Sequence, residues 1–305
     1  MTPEPDGEAA SPWAPCSDRS RERDDPLAGT ASRGDTWFLV ESPNGWGRHA
    51  FLDPPYDVAL GRALVTRIEA AGTRPLAIRR PRRRPSSPST RWAFIDSRPG
   101  RETIRWGRVE HPAQLLDVPL DGSSGTESAS PVFAVCTHGR HDQCCAVRGR
   151  PVAARLAERY PDETWECSHL GGDRFAGTMV VLPHGLYYGR ADDVDALDIA
   201  DAYLRGDVTT HFLRGRSSLS HAVQAAQHAA RDAFGDPRIA AYAPIREARS
   251  DDSWTVDLAA DDGVVTVTLV QESSGPLLST CAATRAFPVP HLVAVDVARR
   301  PPQTP

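Results

Sequence analysis

Apolar residues first gather at Trp37-Phe38-Leu39-Val40, after residues 1–33, which are rich in Pro, Ser, Asp and Arg and show no period. A segment of that composition cannot bury enough surface to order itself, so 1–33 is predicted to be disordered. Trp37–Val40 then reads as a short strand. From Val58 to Ala71, Leu60, Leu64, Val65 and Ile68 recur on one helix face, and Gly72 is placed to stop it. Leu76-Ala77-Ile78 reads as a second strand. Trp92–Ile95 and Thr103–Trp106 read as a hairpin around Arg98-Pro99-Gly100. Residues 34–125 are thus an α/β segment of order βαβββ.

Asp121 to Ser130 has the composition of a linker. Beyond it, Val132–Val135 is predicted as a strand ending at Cys136, and Pro151 suits the first turn of a helix bearing Val152, Leu156 and Tyr160. Thr164–Cys167 is a short strand. Phe175–Leu182 and Leu186–Tyr188 form a hairpin turned by Pro183-His184-Gly185, and Asp192–Leu204 is a helix. The order β–loop–α–β–loop–β–β–α is that of a thioredoxin-like unit. The first segment shares its opening elements, so a degenerate duplicated fold is expected. Ser217 or Ser218 can cap a helix running to Phe234, and Trp254–Leu258 with Val264–Val270 make a hairpin across Asp261-Asp262-Gly263. The second segment with this extension spans 131–295, and 296–305 reads as a flexible tail.

Composition narrows the function. Hydrophobic residues make up 40% of the 305, enough to fill a core, while a net charge of -5 offers no general attraction to nucleic acid or anionic membranes. The positive complement is entirely arginine. Its one dense run, Arg79-Arg80-Pro81-Arg82-Arg83-Arg84, has no interleaved aromatic residue and reads as a solvated loop. No stretch reaches the roughly 18 apolar residues of a spanning helix. The acidic, Pro-rich start lacks a secretory pattern, so a cytoplasmic location is expected. Disulfides are rare there. Four of the six cysteines, Cys136, Cys144, Cys145 and Cys167, lie close together, which points to a metal or redox site.

The chemistry concentrates in two loops. Cys136-Thr-His-Gly-Arg-His-Asp-Gln-Cys144-Cys145 leaves a strand and enters a helix, with Cys136 and Cys145 in C-x8-C spacing. Amides near a helix N-terminus favour thiolates and donate N–H···S bonds. Trp165-Glu-Cys167-Ser-His169-Leu-Gly171-Gly172-Asp173-Arg174-Phe175 leaves the next strand. Parallel neighbouring strands would bring both loops to one sheet edge. Thiolates with imidazole suit iron–sulfur clusters or zinc.

CTHGRHDQCC, SHLGGDRFAG and LPHGLYYGR, in that order, make the segment from Cys136 to Arg190 resemble the sucrase/ferredoxin-like family, relatives of thioredoxin-like [2Fe–2S] ferredoxins. WFLVE and NGWGR upstream extend the likeness to about 30–295. The resemblance implies an electron carrier rather than an enzyme, served by a redox partner protein. Its [2Fe–2S] cluster would be held by two cysteines from the first loop and two ligands from the second. Fungal members carry H-x-G-G-H in the second loop, whereas here His169 is followed by Asp173. Cys136, Cys145, Cys167 and His169 are therefore the expected ligands, with Asp173 and Cys144 as alternatives. A histidine ligand whose remote nitrogen titrates would make the potential fall as pH rises.

The other residues read more simply. Cys144 is expected to pack as a small hydrophobe, His138 and His141 to be solvated loop histidines, and Cys16 and Cys281 to be non-ligands. Gly171 and Gly172 would permit close backbone approach to the site. Arg174 would serve the cluster region or a partner's carboxylate. A zinc-stabilised interaction module using the same ligands is the alternative. Thiol–disulfide exchange lacks a C-x-x-C pair, and glycoside hydrolysis lacks a nominated carboxylate pair.

Overall fold

The computed structural model describes residues 15–42, 45–53, 57–81 and 89–301. The basic run at 82–84, residues 1–14 of the predicted disordered head, Asn44 of NGWGR and residues 302–305 lie outside them. The head departs from expectation within the described part. Cys16–Glu22 is a helix (α1) whose Cys16, Ser17 and Ser20 are buried. Its order comes from tertiary contact, with Arg21 donating to Ala176 O and Arg190 O, since no period is visible in the sequence.

Two units of equal strand order follow. The first comprises β1 (Thr36–Glu41), α2 (Val58–Ala70), β2 (Thr73–Arg79), β3 (Thr90–Asp96) and β4 (Thr103–Val109), with β5 (Thr126–Glu127) pairing on β4. β1 and β2 are parallel, while β1–β3 and β3–β4 are antiparallel. The second unit comprises β6 (Val132–Cys136), α3 (Gln143–Arg159), β7 (Thr164–Cys167), β8 (Met179–Leu182), β9 (Leu186–Tyr188) and α4 (Asp195–Leu204). It repeats the pattern: β6–β7 parallel, β6–β8 and β8–β9 antiparallel. The second unit has the full expected order, closing helix included; the first shares it through its strands, with a 3-10 turn at Pro112–Leu116 after β4.

The equivalent strands β2 and β7 pair antiparallel, Ile78 opposite Cys167. That junction fuses both units, with β10 (Leu213–Arg216), into one ten-stranded sheet of order β10-β9-β8-β6-β7-β2-β1-β3-β4-β5. An approximate two-fold axis therefore passes between β2 and β7. α2 buries Leu64 and Ile68 against Phe38 and Val40, and α3 buries Val152 and Leu156 against Phe133 and Val135. Each fully buried aliphatic side chain contributes roughly 1.5–3 kcal/mol. The opposite sheet face forms one continuous core from both units, with Trp37, Ile78, Trp165, Cys136, Cys145 and Cys167.

Three local readings change. α3 begins at Gln143, capped by Asp142, and Pro151 lies inside it rather than in its first turn. The C-terminal helix α5 (His221–Phe234) is capped by Ser220 instead of Ser217 or Ser218. The C-terminal hairpin is the centre of a four-stranded sheet: β11 (Pro244–Ser250), β12 (Ser253–Ala260), β13 (Gly263–Ser273) and β14 (Pro290–Arg300). β14 takes in part of the expected flexible tail. α5 seals this sheet through Ala222, Val223, Ala226 and Ala230 against Val256, Leu258, Val265 and Val267.

Arg216 ties the ends together. It donates to Glu102 Oε1 at 2.6 Å and to Ser97 O at 2.8 Å. Burial pushes the Glu102 carboxyl up, but the Arg216 hydrogen bond and charge outweigh it and hold it below its ordinary value. Stability from this pair is present above the unfolded Glu value of about 4.3 and is lost as pH falls through the lower folded value. Glu102→Gln is expected to cost about 1.5–3 kcal/mol near neutral pH. Thermal melts of both proteins should converge in acid.

Candidate metal centre

β6 and β7 run parallel with Cys136 directly opposite Cys167, so both chemistry-bearing loops leave the same sheet end. The first loop closes quickly into α3. Asp142 accepts the Cys144 amide at 2.9 Å, which fixes the helix start and sets Cys145 in its first turn. Partial positive charge at that end favours thiolate. The second loop passes Gly171 and Gly172, both at positive φ, into a 3-10 turn over Asp173–Phe175.

The loops meet around a buried carboxylate. Cys145 Sγ donates to Asp173 Oδ1 at 3.2 Å, and His169 Nδ1 lies 3.0 Å from the same oxygen. His141 Nε2 is 3.8 Å from Asp173 Oδ2, and its ring centroid is 3.8 Å from that of His169. Cys145 also hydrogen-bonds Cys136, whose sulfur further receives the amides of His138 and Leu170; these bonds lower the Cys136 pKa against the opposing effect of burial. Donation to Cys136, together with burial, raises Cys145. Binding of a metal here would displace the thiol protons. Burial disfavours the His169 imidazolium, but Asp173 outweighs it and raises that pKa; His169 in turn holds Asp173 low against its own burial. The cysteines and Asp173 are buried, while the His141 and His169 side chains are each 32% exposed.

His138 is neither solvated nor available as a ligand. Its Nε2 pairs with Gly47 O at 2.7 Å, and its Nδ1 accepts the His169 amide at 3.2 Å. Burial lowers its pKa, and the neutral ring bridges the first unit's loop to the second loop of the site. Trp46 packs edge-on against it.

Other expected site residues go elsewhere. Cys167 is fully buried in the core cluster that also holds Cys136 and Cys145. Arg174 faces Asp25 at 3.4 Å and lies over the Phe175 ring. Gly171 and Gly172 make room for neighbouring side chains: added Cβ atoms would stand 2.4 Å from Ser32 Oγ and 2.5 Å from Arg214 Nη2. The close approach anticipated for a cofactor is thus made by Ser32 and Arg214.

A second group lies behind the same helix turn. Cys144 is not packed in the main core; its sulfur is 3.7 Å from Cys16 Sγ and 3.1 Å from Cys281 Sγ. Hydrogen bonds from Cys16 and Ser17 bring the Cys144 thiol down to about 6 against the effect of burial. Nothing in spacing announced this meeting, because Cys16 and Cys281 come from opposite chain ends. The convergence of His141 was equally hidden. The Asp142 cap, an acidic residue before a helix, was readable but overshadowed by Pro151.

The first group fits an iron–sulfur or zinc centre on chemical grounds: two thiols, an imidazole and a carboxylate converge. His169 Nδ1 is buried against the Asp173 carboxylate, 3.0 Å away, so a metal there would meet both donors at once. No helix among the described residues is long and apolar enough to cross a membrane. A family model described as Sucrase/ferredoxin-like matches residues 27–215. Comparison with curated proteins and with solved structures returns no match.

Proposed function

We propose, from the premise that the chain belongs to the sucrase/ferredoxin-like family, that it is an electron carrier holding a [2Fe–2S] cluster at Cys136, Cys145 and His169. Asp173 supplies the fourth donor, 3.2 Å from Cys145 Sγ and 3.0 Å from His169 Nδ1. One observation supports this reading above the others: two buried thiols, an imidazole nitrogen and a buried carboxylate converge where two parallel strands end. Cys136, Cys145, His169 and Asp173 would hold the cluster, which would supply one-electron transfer between redox partner proteins.

This chain's residues do the rest. The amides of His138 and Leu170 stabilise negative charge on Cys136. His138 holds the His169 backbone in place, and Trp46 with Gly47 caps that side of the site. The part-exposed rings of His141 and His169 present an edge to a partner. Histidine ligation moves the potential toward the range of about -150 to +300 mV, away from about -400 mV for plant-type centres.

The midpoint is expected to fall with rising pH by up to about 59 mV per unit where one proton accompanies the electron. His169→Cys should flatten that slope and lower the midpoint. A wild-type midpoint independent of pH would remove His169 from the ligand set. Cys167→Ser should leave the spectrum unchanged, whereas Asp173→Ala should alter it; the reverse would return Cys167 to the set.

A second reading has its own support. Two cysteines, a histidine and a carboxylate are an acceptable zinc donor set, and hard oxygen suits zinc better than an iron–sulfur cluster. Zinc would make the same loops a structural module without redox activity.

A further inference from the structure

Three cysteines from segments far apart in the chain converge at one point outside the proposed cluster site. Cys16 opens α1, Cys144 lies in the first turn of α3, and Cys281 lies in the loop between β13 and β14. Their sulfurs form a triangle with sides of 3.7 Å (Cys16–Cys144), 3.1 Å (Cys144–Cys281) and 3.5 Å (Cys16–Cys281). The Asp142 carboxylate completes the group, its oxygens 3.8 and 3.9 Å from Cys16 Sγ.

We propose that Cys16, Cys144, Cys281 and Asp142 form a mononuclear site for a soft divalent cation, Zn2+ by preference, which clamps both ends of the chain onto the start of α3. Zn–S bonds of about 2.3 Å in a tetrahedron place ligand sulfurs about 3.8 Å apart, close to two sides of the triangle. The carboxylate is oriented from outside, as ligating carboxylates are. Asp142 Oδ1 accepts the Cys144 amide at 2.9 Å and Oδ2 accepts the Cys281 amide at 2.7 Å.

Hydrophobic packing does not account for the group. Among the described residues its one apolar companion in the cluster is Ala176, and a carboxylate is a poor neighbour for three thiols packed as small hydrophobes. A route in exists. A cleft of about 450 Å³ lined by Cys16, Asp142 and Cys281 opens on one side, so a hydrated ion can reach the sulfurs.

The occupied site would fix α1 and the 278–284 loop behind Cys145. It does not depend on the identity of the group at Cys136 and Cys145. The test uses the full chain, reconstituted with iron and sulfide without oxygen and then given one equivalent of Zn2+ under reductant. Zinc-edge X-ray absorption of the iron-loaded chain is expected to show about three sulfurs at about 2.3 Å and a lighter atom at about 2.0 Å. Cys281→Ser should weaken Zn2+ binding by about 100-fold or more. Cys145→Ser, which removes a ligand from the other site, should leave it unchanged. That variant keeps the test readable where iron does not load, so failure of the cluster proposal is distinguishable. A parallel Co2+ titration of unmutated and Cys145→Ser protein should give thiolate-to-metal charge-transfer bands. No retained zinc, a shell of nitrogen and oxygen only, equal binding by Cys281→Ser, or a Cys144–Cys281 disulfide in reduced protein would each overturn the proposal.

Discussion

Cys145→Ser protein, prepared without oxygen, is expected to retain no more than about a tenth of the wild-type iron and to lose its colour. The reason lies in where the thiol stands. Cys145 is in the first turn of α3, between Cys136 and the Asp173 carboxylate, and it touches both. A serine hydroxyl can reproduce those hydrogen bonds, so the fold should persist with little change in melting temperature. It cannot supply a soft thiolate, which the bridged irons require. Iron analysis and circular dichroism on one preparation separate loss of ligand from loss of fold. Near-normal iron in a folded Cys145→Ser protein would exclude it as a ligand.

Gly149→Ala should destabilise the protein although alanine is the better helix former. In an open helix the change would favour folding by about 1 kcal/mol. Here Gly149 lies on the buried side of α3, and its added Cβ would stand 2.1 Å from Cys136 O and 3.1 Å from the carbonyl carbon. Backbone cannot turn aside as a side chain can, so α3 must move away from β6. Overpacking of this kind costs about 1–3 kcal/mol, read as a drop of about 2–4 °C in Tm per kcal/mol for a chain of this size. The same displacement carries Cys145 away from Cys136, so iron content should fall with stability. A raised Tm with full iron would show that helix and strand are free to separate.

The sheet was largely legible because its strands are buried and apolar. Trp37–Val40, Val132–Val135 and the hairpins announced themselves by composition, and their order pointed to a repeated unit. Strand edges hid what remained. β11 is almost wholly exposed and β14 is half-exposed, so neither needs an apolar run to pair with its neighbour. The β2–β7 junction was invisible for another reason. It rests on a short stretch of pairing around Ile78 and Cys167, and pairing partners are not encoded in local periodicity.

The site divides in the same way. The meeting of the two loops was legible because they follow adjacent parallel strands, while the resemblance supplied the choice of Cys136, Cys145 and His169, with Asp173 as an alternative. His141 reaches the same point through loop conformation, which residue spacing does not determine. Arg174 misled because a cation near a motif invites a functional role, whereas Asp25 lies beside its guanidinium. Cys16 and Cys281 depended on the docking of chain ends, where contacts at great sequence separation leave no trace in the pattern. Reading α3 as starting at Pro151 also concealed that Cys144 and Cys145 lie in its first turn, facing two different groups.

Iron and acid-labile sulfide per chain, measured after anoxic purification beside the visible spectrum, bear most directly on the central claim. The account predicts iron and sulfide in equal amounts, about two of each per chain, with red-brown absorption that bleaches on reduction. Colourless, sulfide-free protein carrying zinc at Cys136 and Cys145 would contradict it.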